Sequence, residues 1–234
     1  MIITLDGPGG SGKSTVSRIL ARRLGLPYLN SGYIYRAVTL LVLERGGIFD
    51  DREAVSRTIR EMRLHFREDD DATRVMVEEP GGAERDVTAR LKDPDVTPEV
   101  HRIANDRQYR GLLIDLQRRV AVPLGVVAEG RDMGSVIFPE ADYKFYLDAS
   151  PEERARRQHR DLEARGHRKS YAEVLSEVLD RDRHDRDRDV APLCVPEGAV
   201  TIRTDSLSVK EILDSILSSI ARAPAGGSSP GGAA

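Results

Sequence analysis

Residues 7–14 read Gly7-Pro8-Gly9-Gly10-Ser11-Gly12-Lys13-Ser14, an ungapped match to the pattern G-x-x-x-x-G-K-[ST]. The apolar run 2–5 precedes this loop, and an amphipathic helical pattern over 16–24 follows it. We therefore expect the loop between a buried strand and a helix N-terminus, where main-chain N–H groups and the helix dipole attract phosphate. This placement predicts a site for a nucleoside triphosphate, without saying what is done with it.

The last two residues of the loop are expected to make the specific contacts. Lys13 is expected to reach the β- and γ-phosphates. The Ser14 hydroxyl is expected to hold the Mg²⁺ that accompanies the triphosphate, as the metal ligand of the site.

Composition bounds the class of protein. The chain has 234 residues, enough for one α/β domain with insertions. Its formal net charge of −3 gives no basic field, so we expect neither nucleic acid nor a membrane as partner. Cys194 is the single cysteine and cannot form an internal disulfide, and no apolar run approaches the roughly 18 residues of a membrane span. We expect a cytoplasmic monomer that binds small molecules.

Strand and helix patterns alternate along most of the chain. Strand patterns at 2–5, 27–29, 125–128, 143–147 and 200–202 are separated by helical patterns. This alternation predicts an α/β, three-layer P-loop fold with a parallel sheet flanked by helices. Two short strands, 63–66 and 74–77, interrupt it as a small antiparallel insert with a turn at 69–71.

Two helices follow the fourth strand of the sheet. Ser150 as N-cap, Pro151 at the first helical position and Glu153 as the partner in a capping box predict the start of a helix, for which a helical lid is the functional interpretation. A further helix is expected over 170–189. The tail 223–234 is rich in Pro, Gly, Ser and Ala, which indicates disorder.

Arginines discriminate among the proteins that carry such a phosphate loop. A switch GTPase would carry an Asn-Lys-x-Asp run, which is absent, and a motor or helicase would bring a larger chain or a basic nucleic-acid surface, neither of which is evident. Phosphoryl transfer to a phosphorylated acceptor needs one set of cations for the acceptor phosphate and another for the transferred group. Candidates lie in the segments 30–36, 128–134, 154–160 and 180–189.

Each of these segments also fits a plainer role. A glycine turn accounts for 30–36, a loop ion pair for 128–134, a solvated basic helix face for 154–160, and a salt-bridged surface helix for 180–189. Position favours a site for 128–134, because ligands bind at the carboxyl ends of parallel strands. On the last segment Arg181, Asp185 and Arg188 share one helix face.

Together these segments resemble the bacterial cytidylate kinases, a group of nucleoside monophosphate kinases. The resemblance covers residues 2–221, and it rests on 5–8, 31–36, 129–134, 138–139, 149–154 and 185–193. It implies transfer of the γ-phosphoryl group of ATP, with Mg²⁺, to CMP and also to dCMP. A different base specificity, or a nucleotide-binding switch with little phosphotransfer, stays open as an alternative.

The resemblance also implies a role for each matching residue. The implied ATP-binding residues are Gly7, Pro8, Gly9, Gly10, Ser11, Gly12, Lys13, Ser14 and Thr15. The implied CMP-binding residues are Ser31, Arg110 and Asp132 at the cytosine, Arg36, Arg131 and Arg188 at the phosphate, and Arg181 and Asp185 at the ribose. The implied catalytic residues are Lys13, Arg131 and Arg188, with Arg154 and Arg157 closing over ATP.

The resemblance divides the chain into functional parts. The implied parts are a core with the phosphate loop over 1–30, a monophosphate-binding domain with the insert over 31–98, core over 99–151, lid over 152–168 and core over 169–222. The chain departs from the family pattern at Asn30, where aspartate is usual, and at His101, where a ribose-contacting serine is common. The choice between CMP and dCMP therefore stays open.

Overall fold

In a computed structural model, the structure describes residues 1–69, 73–78, 82–121, 125–164 and 166–222. The strands in these ranges are β1 (Ile2–Asp6), β2 (Tyr28–Asn30), β3 (Arg63–Glu68), β4 (Thr73–Glu78), β5 (Glu84–Asp86), β6 (Val126–Gly130), β7 (Tyr143–Asp148) and β8 (Val200–Arg203). The α-helices are α1 (Lys13–Leu24), α2 (Ser31–Glu44), α3 (Arg52–Glu61), α4 (Val100–Ala104), α5 (Arg107–Ala121), α6 (Pro151–Ala164), α7 (Tyr171–Arg186) and α8 (Val209–Arg222).

Five strands form a parallel sheet in the order β2-β6-β1-β7-β8. The central strands β1 and β6 are buried on both faces, which explains why their sequences read as continuous apolar runs. Asp6 pairs in register with Gly130, so the carboxyl ends of β1 and β6 lie at one edge of the sheet. The phosphate loop follows β1, and Arg131 and Asp132 follow β6.

Helices cover both faces of the sheet, and two apolar cores result. Val126 and Ala128 of β6 face a core shared with α2, α3 and α5, whereas Val127 faces a core shared with α1 and α8. The alternation follows from the two-residue period of a strand. The three-layer α/β fold expected from the sequence is therefore confirmed.

The insert is an antiparallel sheet in the order β3-β4-β5. Two of its strands were expected, and the third, β5, was not, because its three residues Glu84–Asp86 are all charged and carry no apolar signal. Val75 and Val77 of β4 are buried against the core beneath α2. Most of the turn expected at 69–71, and the tail 223–234, lie outside the described residues.

Two local expectations need correction at the helices that follow β7. The Ser150 hydroxyl accepts from the Glu153 N–H at 3.3 Å, but the return bond of a capping box is missing, because the Ser150 N–H donates to Asp205 instead. The helix expected over 170–189 ends at Arg186. It begins with a complete capping box between Ser170 and Glu173. None of the helices described here is long and apolar enough to span a bilayer.

Candidate active site

The phosphate loop is held in a conformation that requires glycine. Gly10 and Gly12 have φ of 82° and 93°, in the left-handed region that side chains rarely adopt. At Gly7 a Cβ would lie 2.1 Å from the Leu147 carbonyl oxygen of the neighbouring strand. The loop therefore passes over the end of the sheet and delivers the chain into α1, which starts at Lys13.

Lys13 is buried beneath the loop. Its Nζ donates to the Pro8 carbonyl at 2.7 Å and to the Ser11 hydroxyl at 3.3 Å. Burial, helped by the positive charges of Arg131 and Arg181, lowers the pKa of Lys13 to about 7. A phosphate group brought to this position would supply the missing negative charge, so the loop favours an anion.

Two cavities meet at this lysine. The first, of about 680 Å³, lies between α1, α6 and the start of α8. The second, of about 480 Å³, lies between the phosphate loop, α2, the segment after β6, and α7. Both cavities are lined by Gly10, Lys13, Ser14, Gln158 and Asp161. We call them the donor cavity and the acceptor cavity; their junction is where a group could pass from one ligand to another.

A buried ion pair forms one wall of the acceptor cavity. Arg110 on α5 pairs with Asp132, and both residues are at most 4% exposed. The Arg110 guanidinium also donates to the Ala104 carbonyl at 3.1 Å and lies 5.5 Å from the centroid of the Tyr35 ring. Arg110 Nε and the Tyr35 hydroxyl are buried with no hydrogen-bond partner among the described residues. Ser31, at the start of α2, lines the same cavity.

Three guanidinium groups and a carboxylate line another part of the acceptor cavity. Arg131 Nε donates to Asp185 at 2.7 Å, and Arg188 Nη2 lies 3.2 Å from the other oxygen of Asp185. Burial alone would raise the pKa of Asp185, but Arg131 and Arg188 more than offset this and lower it. The charge of Arg131 in turn lowers the pKa of Arg181 to about 10. These residues thus concentrate positive charge beside the phosphate loop.

Arg36 on α2 adds a further guanidinium group to the acceptor cavity. Its Nη1 donates to the Leu91 carbonyl at 2.9 Å and to the Thr97 hydroxyl at 2.8 Å. Burial lowers its pKa, and the side chain lines the acceptor cavity. All eight residues predicted at the acceptor therefore line one cavity.

The two predicted lid arginines occupy different surroundings. Arg157 lines the donor cavity and donates to the Thr204 carbonyl at 2.6 Å. Arg154 is not among the residues that line either cavity. It is 1% exposed, pairs through two nitrogens with Asp182, and donates to the carbonyls of Ala149 at 2.9 Å and Gly9 at 3.2 Å. Contact of Arg154 with ATP stays a prediction, and it would require these bonds to open.

Asp182 was missed by sequence reasoning because it lies in a run where acid and base alternate. That run is typical of a solvated helix, and most of its members are exposed, but Asp182 is 3% exposed. The partner, Arg154, is 28 residues away along the chain. No local pattern could have identified this pair.

Glu129 and Asn30 form a second group that motif matching leaves unexplained. One oxygen of the buried Glu129 accepts from Asn30 Nδ2 at 2.6 Å and from the Tyr28 hydroxyl at 2.7 Å. The amide of Asn30 can donate here, which an ionised aspartate could not do. The departure at Asn30 is thus matched to Glu129. The other departure, His101, is exposed, and its Nδ1 lies 2.6 Å from the Pro98 carbonyl oxygen.

Comparisons with known proteins agree with this geometry. A model of the cytidylate kinase family matches residues 3–222. The chain is 40% identical over 222 residues to the cytidylate kinase of Carboxydothermus hydrogenoformans, covering 95% of this chain and 98% of that protein. It is 36% identical to the cytidylate kinase of Haemophilus ducreyi, covering 94% of this chain and 96% of that protein.

A solved structure extends the likeness of fold. The shikimate kinase of Bacteroides thetaiotaomicron matches with a TM-score of 0.52 at 14% identity, over 94% of this chain and 98% of that one. At that identity the match concerns the fold alone. The family model, in contrast, matches nearly the whole sequence together with the phosphate loop and the arginine-lined cavity. The chain belongs to the cytidylate kinase family.

Proposed function

We propose that the chain transfers the γ-phosphoryl group of ATP to CMP, and also to dCMP, giving ADP and the nucleoside diphosphate. The observation that carries the proposal is the acceptor cavity, where separate elements bring several guanidinium groups and the Arg110–Asp132 pair together beside the phosphate loop. Membership of the cytidylate kinase family supports the same reaction.

On the donor side, the triphosphate would lie along residues 7–15, with its base and sugar in the donor cavity. The Ser14 hydroxyl lines both cavities beside Lys13, and oxygen donors of this kind suit Mg²⁺. Mg²⁺ held there with the triphosphate would neutralise phosphate charge. Lys13 would add its own charge at the junction of the cavities.

On the acceptor side, Arg36, Arg131 and Arg188 would hold the phosphate of CMP. That phosphate is already anionic, so no general base is required, and alignment with charge neutralisation accounts for the rate. Arg181 and Asp185 would contact the ribose.

Selection of cytosine would fall to the wall formed by Ser31, Arg110 and Asp132. The exocyclic amine of cytosine donates a hydrogen bond, and the Asp132 carboxylate can accept it. Uracil presents a carbonyl at that position, which would face another acceptor and leave a buried group unpaired. The orphaned Arg110 Nε and Tyr35 hydroxyl support this assignment, because buried polar groups in proteins are rarely left without a partner.

Residues 152–168 would act as the lid. They include α6, whose Arg157 lines the donor cavity, and α6 packs on α7 through Ala155, Val174 and Val178. Movement of residues 152–168 over ATP would exclude water from the transferred group, and it would require the bonds from Arg154 to Gly9 and Asp182 to open. Residues 31–98 would form the monophosphate-binding domain, with α2 contributing Ser31 and Arg36.

A coupled assay of ADP formation tests the proposal. ADP would be measured with ATP and Mg²⁺ alone and then with CMP, dCMP, UMP or AMP. We expect formation that depends on CMP or dCMP and is far slower with UMP and AMP. Slow hydrolysis insensitive to every monophosphate would instead indicate a nucleotide switch, and equal turnover of UMP or AMP would overturn the cytosine assignment.

A further inference from the structure

Asp6 is a buried carboxylate that lines neither cavity and has no part in the mechanism proposed above. It ends β1 immediately before the phosphate loop and is 0% exposed. Its Oδ1 accepts from the Met133 N–H at 2.8 Å, and its Oδ2 accepts from the Gly134 N–H at 2.8 Å. One carboxylate therefore binds two successive main-chain groups on another element.

Those two N–H groups begin a short helical turn, Met133–Ile137, directly after Arg131 and Asp132. The first N–H groups of a helical turn have no partner within the turn, so a carboxylate placed there both satisfies and fixes them. At Gly134 a Cβ would lie 2.7 Å from Thr4 Oγ1 and 3.2 Å from Asp6 Oδ2. The segment 131–134 therefore packs closely against β1.

We propose that Asp6 is a positioning residue that fixes the segment 131–134 relative to the phosphate loop. It would thereby set where Arg131 and Asp132 stand with respect to Lys13, and so align acceptor with donor. This inference rests on the proposed function, since it assigns Arg131 and Asp132 to the acceptor. Asp6 would touch no substrate, and its effect would pass entirely through the two main-chain bonds.

The proposed role of Asp6 also depends on the protonation state of its carboxylate. Burial raises the pKa of Asp6 to about 6, against the opposing effect of the two N–H groups. The charged groups facing it are Asp132 after β6, which raises the pKa, and Lys13 on α1, which lowers it. From β7, Tyr146 stands at the paired register position. Protonation would turn one carboxyl oxygen into a donor that faces an N–H group. The hydrogen bonds that hold the segment 131–134 against β1 would therefore weaken below about pH 6.

The test is Asp6→Asn, which keeps the size of the side chain and replaces one acceptor oxygen by an amide donor. We expect kcat/KM for CMP to fall by about 10²-fold, because small misplacements of aligned groups have effects of that order. KM for CMP should rise, and KM for ATP should change by less than about twofold. The acid limb of the pH profile should lose the ionisation that Asp6 contributes near pH 6 and keep the one that the CMP phosphate contributes.

Asp142→Asn is the matched control. Asp142 accepts from the Ile2 N–H at 2.6 Å, so it binds a main-chain group at the opposite end of the same strand, away from both cavities. We expect its kinetics to match the wild type. Loss of activity in both variants, with KM for ATP and CMP affected alike, would show a general effect on β1 and overturn the positioning role.

A second variant covers the case in which Asp6→Asn does not fold. Gly134→Ala pushes the same segment away from Thr4 and should raise KM for CMP while sparing KM for ATP. Wild-type CMP kinetics in Gly134→Ala, or in a folded Asp6→Asn, would overturn the inference. If the wild type itself formed no ADP in response to CMP, the proposed function would fail first, and the two failures are therefore distinguishable.

Discussion

Two buried arginine–aspartate pairs contribute to the surroundings of the phosphate loop and the acceptor cavity. They differ in whether every nitrogen of the guanidinium group has a hydrogen-bond partner. Arg154 and Asp182 engage each other through two bonds, and the remaining contacts of Arg154 go to carbonyl oxygens, including that of Gly9. Arg110 and Asp132 are as deeply buried, but Arg110 Nε has no partner among the described residues, and both line the acceptor cavity.

An ion pair that stabilises the fold can therefore be distinguished from one that binds a ligand by whether its buried donors all have partners. A buried donor without a partner destabilises the protein by about 1–3 kcal/mol. Such a group is explained when a ligand supplies the missing partner. We therefore interpret the Arg154–Asp182 pair as part of the frame that joins α6, α7 and the phosphate loop, and the Arg110–Asp132 pair as a surface prepared for a base.

The largest expected effect is on the stability of the protein, through the Arg154–Asp182 pair. Asp182→Ala leaves the Arg154 charge buried and unpaired, which should lower the free energy of unfolding by about 3–5 kcal/mol. Urea unfolding followed by circular dichroism measures it. Asp180→Ala is the control, because Asp180 is exposed on the same helix and its carboxylate is paired, within the described part of the chain, with the exposed Arg183 at 3.6 Å. Equal stabilities for the two variants would contradict the structural role of Asp182.

An effect on substrate binding is expected at the wall of the acceptor cavity. Arg131→Ala removes a cation from the acceptor phosphate, which should lower kcat/KM for CMP by about 10²-fold, mainly through KM. Its stability should change far less than that of Asp182→Ala. Arg183→Ala, on an exposed side chain of α7, should leave the kinetics unchanged. Unaltered CMP kinetics in Arg131→Ala would refute the acceptor assignment.

A smaller effect, on protonation, is expected at the junction of the cavities. Because the pKa of Lys13 is about 7 in the free protein, the lysine is mostly neutral at pH 8. Triphosphate oxygens beside it should raise that pKa, so binding of a non-hydrolysable ATP analogue should take up close to one proton at pH 8 and much less at pH 6.

Isothermal titration calorimetry in two buffers of different ionisation enthalpy measures this uptake. Lys13→Arg is the control, because a guanidinium stays protonated and should bind the analogue without taking up a proton. Uptake that is the same in Lys13→Arg and in the wild type would assign the proton to another group.

Sequence reasoning predicted the phosphate loop, the parallel sheet and some residues of the acceptor cavity because each of these has a local signature. Loop 7–14 is a contiguous motif, and Arg131 and Asp132 directly follow a buried strand. It could not foresee that Ser150 N–H would bond to Asp205, 55 residues away, rather than to Glu153. The buried Arg154–Asp182 pair and the short charged strand β5 were missed for the same reason, since tertiary contacts decide them.

The most direct test of the contrast between the two pairs is the ratio of kcat/KM for CMP to kcat/KM for UMP, in the wild type and in Asp132→Asn. We predict a wild-type ratio of about 10² or more, because a site built to accept a hydrogen bond rejects a base that cannot donate one. The ratio should fall toward one in Asp132→Asn, whose amide can turn either its oxygen or its nitrogen toward the base. An unchanged ratio in a folded Asp132→Asn would contradict the assignment of the Arg110–Asp132 pair to the base.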